Sequence, residues 1–301
     1  MTRTNGRKMK EYIVDGVSVR GYAHILNGKE RQDAVLTFKE RSYSVVIVCD
    51  GHGGDKYFRS ACGAKIACEV GKDAISQFMT TLRKDRFKKY DFLKRPSKRE
   101  EMLFQLQRAI IQYWVDCVNN DIQALPFAND KQFAELDDAD KAALATTPIK
   151  AYGSTFVAAV SCAEFLLVLK LGDGNVCTYD GNEVQILDHT EAELADEQLQ
   201  FNITTSLCGS NADVEFKHYF RPRDGKRNLQ GIAVTTDGII NSFKTENAYK
   251  AFIANIFGGY REDGIQKAHD DLADFLPRLS EKGSGDDLSV GLIIKQEVKR
   301  I

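Results

Sequence analysis

The feature that most restricts the fold is a repeated junction, a short apolar run that stops at an aspartate beside glycine. SVVIVCDG ends on Asp50 and Gly51, LLVLKLGDG on Asp173 and Gly174, and GIAVTTDG on Asp237 and Gly238. In ERQDAVLTF and GSGDDLSVGLII the order is reversed, so that Asp33 and the pair Asp286 and Asp287 open the run. Short β-branched and aliphatic runs bounded by Gly and Asp read as strands. One Asp-Gly after a strand is an ordinary turn, because both residues tolerate positive φ. Five such junctions predict more than turns. Rigid strand ends can bring carboxylates to one point, whereas turn residues need only face solvent.

Further strand patterns fall at 11–15, 34–38, 155–161, 175–179, 183–187, 213–220 and 288–295, beside those at 43–50, 164–171 and 229–236. Many are sequence neighbours joined by tight breaks such as YDGNE, which favours antiparallel hairpins. A parallel sheet would need a crossover helix after almost every strand. Helical patterns occupy 55–82, 98–124 and 262–281. In the second, Leu103, Leu106, Ile110, Tyr113 and Cys117 repeat at three and four and predict one apolar stripe. Strands in groups with helices on outer faces predict a layered α+β architecture. Residues 84–150 differ in texture, with RKDRFKKYDFLKRPSKREE followed by AELDDADKAALATTP. Such a basic run is either a docking patch or a solvated helix face with a connection.

Composition removes several classes of function. A chain of 301 residues with 43% hydrophobic and 28% charged residues can bury a large core. Its net charge of −2 carries no polyanion-binding signature, so nucleic acid is not an expected partner. The polar, basic start lacks the apolar core of a secretory signal, and AEFLLVLKLG is too short to span a bilayer. A cytoplasmic protein with no membrane partner is expected. The seven cysteines form no CxxC pair, and none has an Arg six positions on, which excludes a cysteine-based phosphate loop.

Converging carboxylates repel one another, and at neutral pH they are ionised unless a cation offsets the charge. All-oxygen donors suit Mg²⁺ or Mn²⁺, and the lack of His/Cys spacing argues against zinc. A carboxylate bridging two ions about 3.5–4 Å apart suits in-line displacement at phosphorus.

DGHGG, YGST followed by LGDG, TTDG and GSGDDLSV, in that order and over essentially the whole chain, resemble the metal-dependent Ser/Thr phosphatases of the protein phosphatase 2C family. The resemblance implies a four-layer α-β-β-α sandwich, two antiparallel sheets flanked by helices. It also implies one catalytic domain over 1–301, because Asp33 and Asp286 must meet at the same ions. Two Mn²⁺ or Mg²⁺ ions are implied, with a third weaker site. By resemblance Asp50 bridges the ions, Gly51 offers its carbonyl, Asp237 and Asp286 complete the first site, Asp33 lies near the second and Asp173 near the third. Asp287 stands where many members have Asn, as a supporting residue. His52 matches the histidine suspected of protonating the leaving hydroxyl. His24, His189, His218 and His269 have no such context and read as structural.

Some positions depart from the family pattern. Gln32 replaces a Glu, and Gly28 stands where an Arg is expected, leaving Lys29, Arg31 or Arg20 to contact phosphate. LGDGN replaces Gly-Asp-Ser-Arg near the third site, and residues 188–212 correspond to the variable flap. The expected activity is hydrolysis of phosphoserine and phosphothreonine in phosphorylated proteins, by activated water without a covalent intermediate, in a monomer. Two alternatives stand beside it: a catalytically silent binding module, and the same chemistry on a small phosphorylated metabolite.

Overall fold

The computed structural model describes residues 12–187, 205–223 and 229–295. Its strands pair antiparallel throughout, in two sheets of five. One sheet runs in the order β1 (Tyr12–Val19), β10 (Leu288–Lys295), β9 (Gly231–Thr235), β6 (Asn175–Tyr179) and β7 (Val184–Ile186). The other runs β2 (Ala34–Glu40), β3 (Tyr43–Cys49), β4 (Phe156–Cys162), β5 (Phe165–Leu171) and β8 (Lys217–Pro222). Each strand pattern in the sequence corresponds to one of these. The last begins late, because Ala212–Glu215 forms a helical turn before Lys217.

Period-two alternation makes the layers. In β3, Val45, Ile47 and Cys49 face the helices while Val46 and Val48 face the other sheet. In β4, Phe156, Ala158 and Val160 face the helices while Val157 and Ala159 face inward. In β10, Leu288, Val290, Leu292 and Ile294 face the opposite helical layer while Ile293 enters the inter-sheet core. Three apolar layers therefore separate four layers of structure, the α-β-β-α sandwich that the motifs imply.

The helices in chain order are α1 (Tyr22–Leu26), α2 (Ser60–Lys84), α3 (Arg86–Lys94), α4 (Pro96–Ala124), α5 (Lys131–Glu135), α6 (Asp138–Thr146), α7 (Ala212–Glu215), α8 (Asp237–Asn241), α9 (Glu246–Glu262) and α10 (Ile265–Lys282). Helices α2 to α4 cover the β2–β8 sheet, and α9 and α10 cover the other. Local chemistry sets their starts. The Asp85 side chain accepts from the Phe87 and Lys88 N–H groups at α3, Pro96 opens α4, and the Thr245 hydroxyl accepts from Ala248 N–H at α9.

The apolar stripe of α4 differs from the sequence expectation after its second turn. Leu103, Leu106 and Ile110 are buried as expected, but Trp114 and Val118 continue the stripe, while Tyr113 and Cys117 face solvent. Trp114 sets this phase, since its Nε1 donates to Gly63 O of α2 at 3.0 Å. Of the flap-like segment 188–212, residues 188–204 lie outside the described residues, as does His189.

Candidate metal centre

Strand register places every acidic junction at one end of the sandwich. Ala34 pairs with Cys49, so Asp33 and Asp50 leave adjacent strands side by side. Phe156 pairs with Leu171, which puts Ser154 and Thr155 beside the turn that carries Asp173. Thr235 pairs with both Val290 and Asn175, which brings Asp237 to the start of β10 and to the other side of the Asp173 turn. One ligand oxygen from each of Asp50, Asp173 and Asp237 lies within 4.8 Å of the others. Three separate segments thus converge on one point.

Each carboxylate is aimed by its neighbours. Asp50 is held through its backbone, whose N–H donates to Thr155 Oγ1 at 2.9 Å while its carbonyl accepts from Thr155 N–H at 2.8 Å. Asn241 Nδ2 donates to Asp237 Oδ2 at 3.0 Å, whereas Asp237 Oδ1 is buried with no hydrogen-bond partner. Asp33 is 2% exposed and accepts from Thr236 Oγ1 at 2.8 Å. Asp286 sits at the rim, with its Oδ1 4.0 Å from His24 Nε2. A Cβ on Gly51 would stand 2.7 Å from the Gln32 carbonyl oxygen and 2.8 Å from that of Ser60, so only glycine fits this turn.

The charges respond as crowded buried carboxylates must. Burial, then Asp33 and Asp237, hold Asp50 well above the ordinary carboxylate range. Burial followed by the charge of Asp287 pushes Asp33 up to about 8. Asp237 and Asp286 are raised, burial again being the leading cause. Asp287 goes the other way, because its hydrogen bonds outweigh burial. It accepts from His24 Nδ1 at 2.9 Å, from Gly21 N–H at 2.5 Å and from Gln32 N–H at 2.5 Å. This acid ties α1, the Asp33 turn and β10 together.

An oxygen-only donor set, the unpartnered Asp237 Oδ1 and the tight Gly51 turn together fit a hard divalent cation. The His52 ring is half-buried and packs edge-on against Tyr57, with centroids 4.8 Å apart. Burial lowers its pKa, and the Asp173 charge opposes that shift. Of the three cations named from sequence, Lys29 alone reaches this loop, donating to Gly53 O at 3.0 Å and to Asp55 Oδ1 at 3.3 Å. Arg31 Nη1 donates to Ser18 O, and Arg20 Nη2 to His24 O. Three supports went unnoticed in the sequence: Thr155, Thr236 and Ser60, which accepts from Gln32 Nε2 at 2.8 Å. Thr155 and Thr236 are small hydroxyl residues next to glycine motifs, whereas Ser60 lies six residues beyond Gly54 and carries no such signal.

The family model described as protein phosphatase 2C matches residues 20–277. The chain belongs to the protein phosphatase 2C family. It is thus one of the divalent-metal-dependent serine/threonine protein phosphatases. Solved structures agree on the fold. A bacterial serine phosphatase matches at 15% identity and TM-score 0.56, covering 96% of this chain and 100% of its own. Stp1 from Staphylococcus aureus, a serine/threonine phosphatase, matches at 15% identity and TM-score 0.57, covering 97% and 99%. The catalytic domain of the phosphatase PstP, in complex with two manganese ions, matches at 16% identity and TM-score 0.53, covering 95% and 99%. No curated protein matches. No helix of this phosphatase among the described residues is long and apolar enough to cross a membrane.

Proposed function

We propose that the whole chain works as one catalytic unit that hydrolyses phosphoserine and phosphothreonine in proteins at the Asp50 centre. The observation carrying this reading is the convergence of Asp50, Asp173 and Asp237, of which Asp237 keeps a buried Oδ1 without a hydrogen-bond partner. Asp50, the Gly51 carbonyl, Asp237 and Asp286 would hold a pair of Mn²⁺ or Mg²⁺ ions with Asp33 behind them, and Asp173 would serve a third. The manganese in PstP supports the choice of ion. When bound, such ions activate water for attack on phosphorus and offset the charge of the phosphoryl oxygens.

The residues of the chain supply the rest. Asp50 and Asp237 fix the centre through rigid strand ends, and Thr236 keeps Asp33 oriented toward it. Lys29, held over the glycine turn, is placed to meet a phosphoryl oxygen in the role left open at Gly28. His52 gives a proton to the departing seryl oxygen, a poor leaving group unless protonated. The thiols do not compete as nucleophiles, since burial raises the pKa of Cys49 and Cys208 and keeps both protonated. We place the enzyme in the cytoplasm as a monomer.

The decisive experiment compares wild type with Asp50→Asn and Asp237→Asn on p-nitrophenyl phosphate and a phosphoserine peptide, with Mn²⁺ and with chelator. The expected result is a folded protein with negligible turnover in either variant and loss of wild-type turnover with chelator. Turnover insensitive to chelator would refute the metal assignment. Absent turnover in the wild type would favour the silent binding module.

A further inference from the structure

Helix α3 presents a surface that catalysis does not use. Residues 83–99 contain nine Lys or Arg against two Asp, in a chain whose net charge is −2. Both acids are occupied, Asp85 in capping the helix and Asp91 in pairing with Arg95 at 3.1 Å. Lys89 pairs with Glu164 and Lys98 with Glu101. Among the described residues Arg83, Lys84, Arg86, Lys88 and Lys94 have no carboxylate within ion-pair distance.

The outward side of α3 is not simply a solvated charged face. Phe92 anchors the helix, packing on Phe78, Phe165 and Phe220 with ring centroids 5.1–5.3 Å apart. At 100° per residue, Phe87, Tyr90 and Lys94 fall on the side opposite Phe92. Phe87 is 85% exposed and Tyr90 56%. Phe87 is thus a bare phenyl ring set amid cations, an amphipathic arrangement.

Position narrows the occupant. Phe92 sits over Phe165, at the start of β5, whereas Asp173 follows the other end of that strand. Eight residues at about 3.3 Å each separate the patch from the metal centre by roughly 25 Å. A partner spread over α3 would therefore leave the acidic end facing away and open. Lysine is depleted at protein interfaces, but scattered Lys and Arg around an exposed aromatic suit a bilayer surface, where rings enter the acyl boundary and cations meet headgroups.

We infer that the outward side of α3, together with the end of α2, docks this protein on anionic lipid, with Phe87 entering the interface and Arg83, Lys84, Arg86 and Lys94 meeting the headgroups. The expectation of no membrane partner then narrows to the absence of a spanning helix. Docking would hold catalysis beside membrane-associated phosphoproteins without burying the centre.

The test is co-sedimentation of the full chain with vesicles of phosphatidylcholine alone and with roughly one-third phosphatidylserine, at about 0.1 M salt and again at about 0.5 M. Binding is expected only to the anionic vesicles and should weaken at the higher salt. Each removed cation should lower partitioning about fivefold, so Lys84→Glu/Arg86→Glu/Lys94→Glu should abolish it and Phe87→Ser should weaken it. Unchanged turnover on p-nitrophenyl phosphate shows that each variant is folded. Equal binding to neutral vesicles, no binding, or a triple variant that binds like wild type would overturn the proposal. So would binding to polyglutamate or an oligonucleotide but not to vesicles, which would assign the patch to an acidic protein or nucleic acid.

Discussion

Asp287 shows how one side chain can organise a site it does not face. Its carboxylate collects the N–H groups of Gly21 and Gln32 and the ring of His24, across 255 or more residues for the backbone donors. An amide would put an NH₂ group against one of these donors. Asp287→Asn is therefore expected to cost about 3 kcal/mol, since hydrogen bonds to a buried charge contribute about 1.5–3 kcal/mol each. Urea unfolding measures that loss, and a variant as stable as wild type would refute this role. His52 allows a different residue-scale prediction. If it protonates the leaving oxygen, His52→Gln should slow a phosphoserine peptide by about 10²–10⁴-fold. It should barely slow p-nitrophenyl phosphate, whose leaving group departs without a proton. Equal loss on both substrates would make the histidine structural. The carboxylates themselves were legible because each closes or opens an apolar run. The hydroxyls of Thr155 and Thr236 were not, because their partners at Asp50 and Asp33 are set by strand register rather than by sequence distance.

Between elements, α2 comes very close to the segment before β4 at Gly63. A Cβ on Gly63 would lie 1.8 Å from the Tyr152 carbonyl oxygen, a backbone atom that cannot swing aside. Trp114 Nε1 of α4 donates to Gly63 O at 3.0 Å, and Arg59 donates to Tyr152 Oη at 2.6 Å and to Leu125 O at 2.7 Å. The helical elaboration is locked to the base of the glycine loop through this junction. Gly63→Ala should thus cost about 3 kcal/mol by overpacking and lower turnover along with melting temperature. A variant with wild-type melting temperature would mean that α2 can shift freely. Strands were legible throughout because alternation and tight turns act locally. Helices were read less well. The pattern at 262–281 located α10, but α9 just before it went unread, although Thr245 and Glu246 form a capping signal. The last turns of α4 were misphased because Tyr113 and Trp114 are both apolar enough to claim the stripe, and only packing against Gly63 decides between them.

For the whole molecule, the pairing of β1 with β10 along eight positions brings the two ends of the described chain together, so Asp33 and Asp286 share one end of the sandwich. That convergence has a thermodynamic cost without cations. Asp33, Asp50, Asp237 and Asp286 all have folded-state pKa values above those of free carboxylates. A group of this kind binds its proton more tightly in the fold. Its stabilising contribution is complete below about pH 4 and is lost as pH rises through the raised value, about 8 for Asp33. His24, also raised, adds in the same direction above its ordinary value of 6.5. Asp287 has the opposite sign, but its lowered pKa confines its loss to pH below about 4. The melting temperature of the chelated protein should therefore fall between pH 5 and 8, since each pH unit over which a raised carboxylate ionises costs about 1.4 kcal/mol, and these four groups together outweigh His52, whose lowered pKa acts in the opposite direction. Saturating Mn²⁺ keeps the carboxylates ionised at every pH in this window, so the slope should flatten and the gain from metal should grow with pH. Scanning calorimetry with and without chelator reads both quantities. A gain that stays constant with pH, or a chelated protein that grows more stable from pH 5 to 8, would mean that these four carboxylates do not share one field.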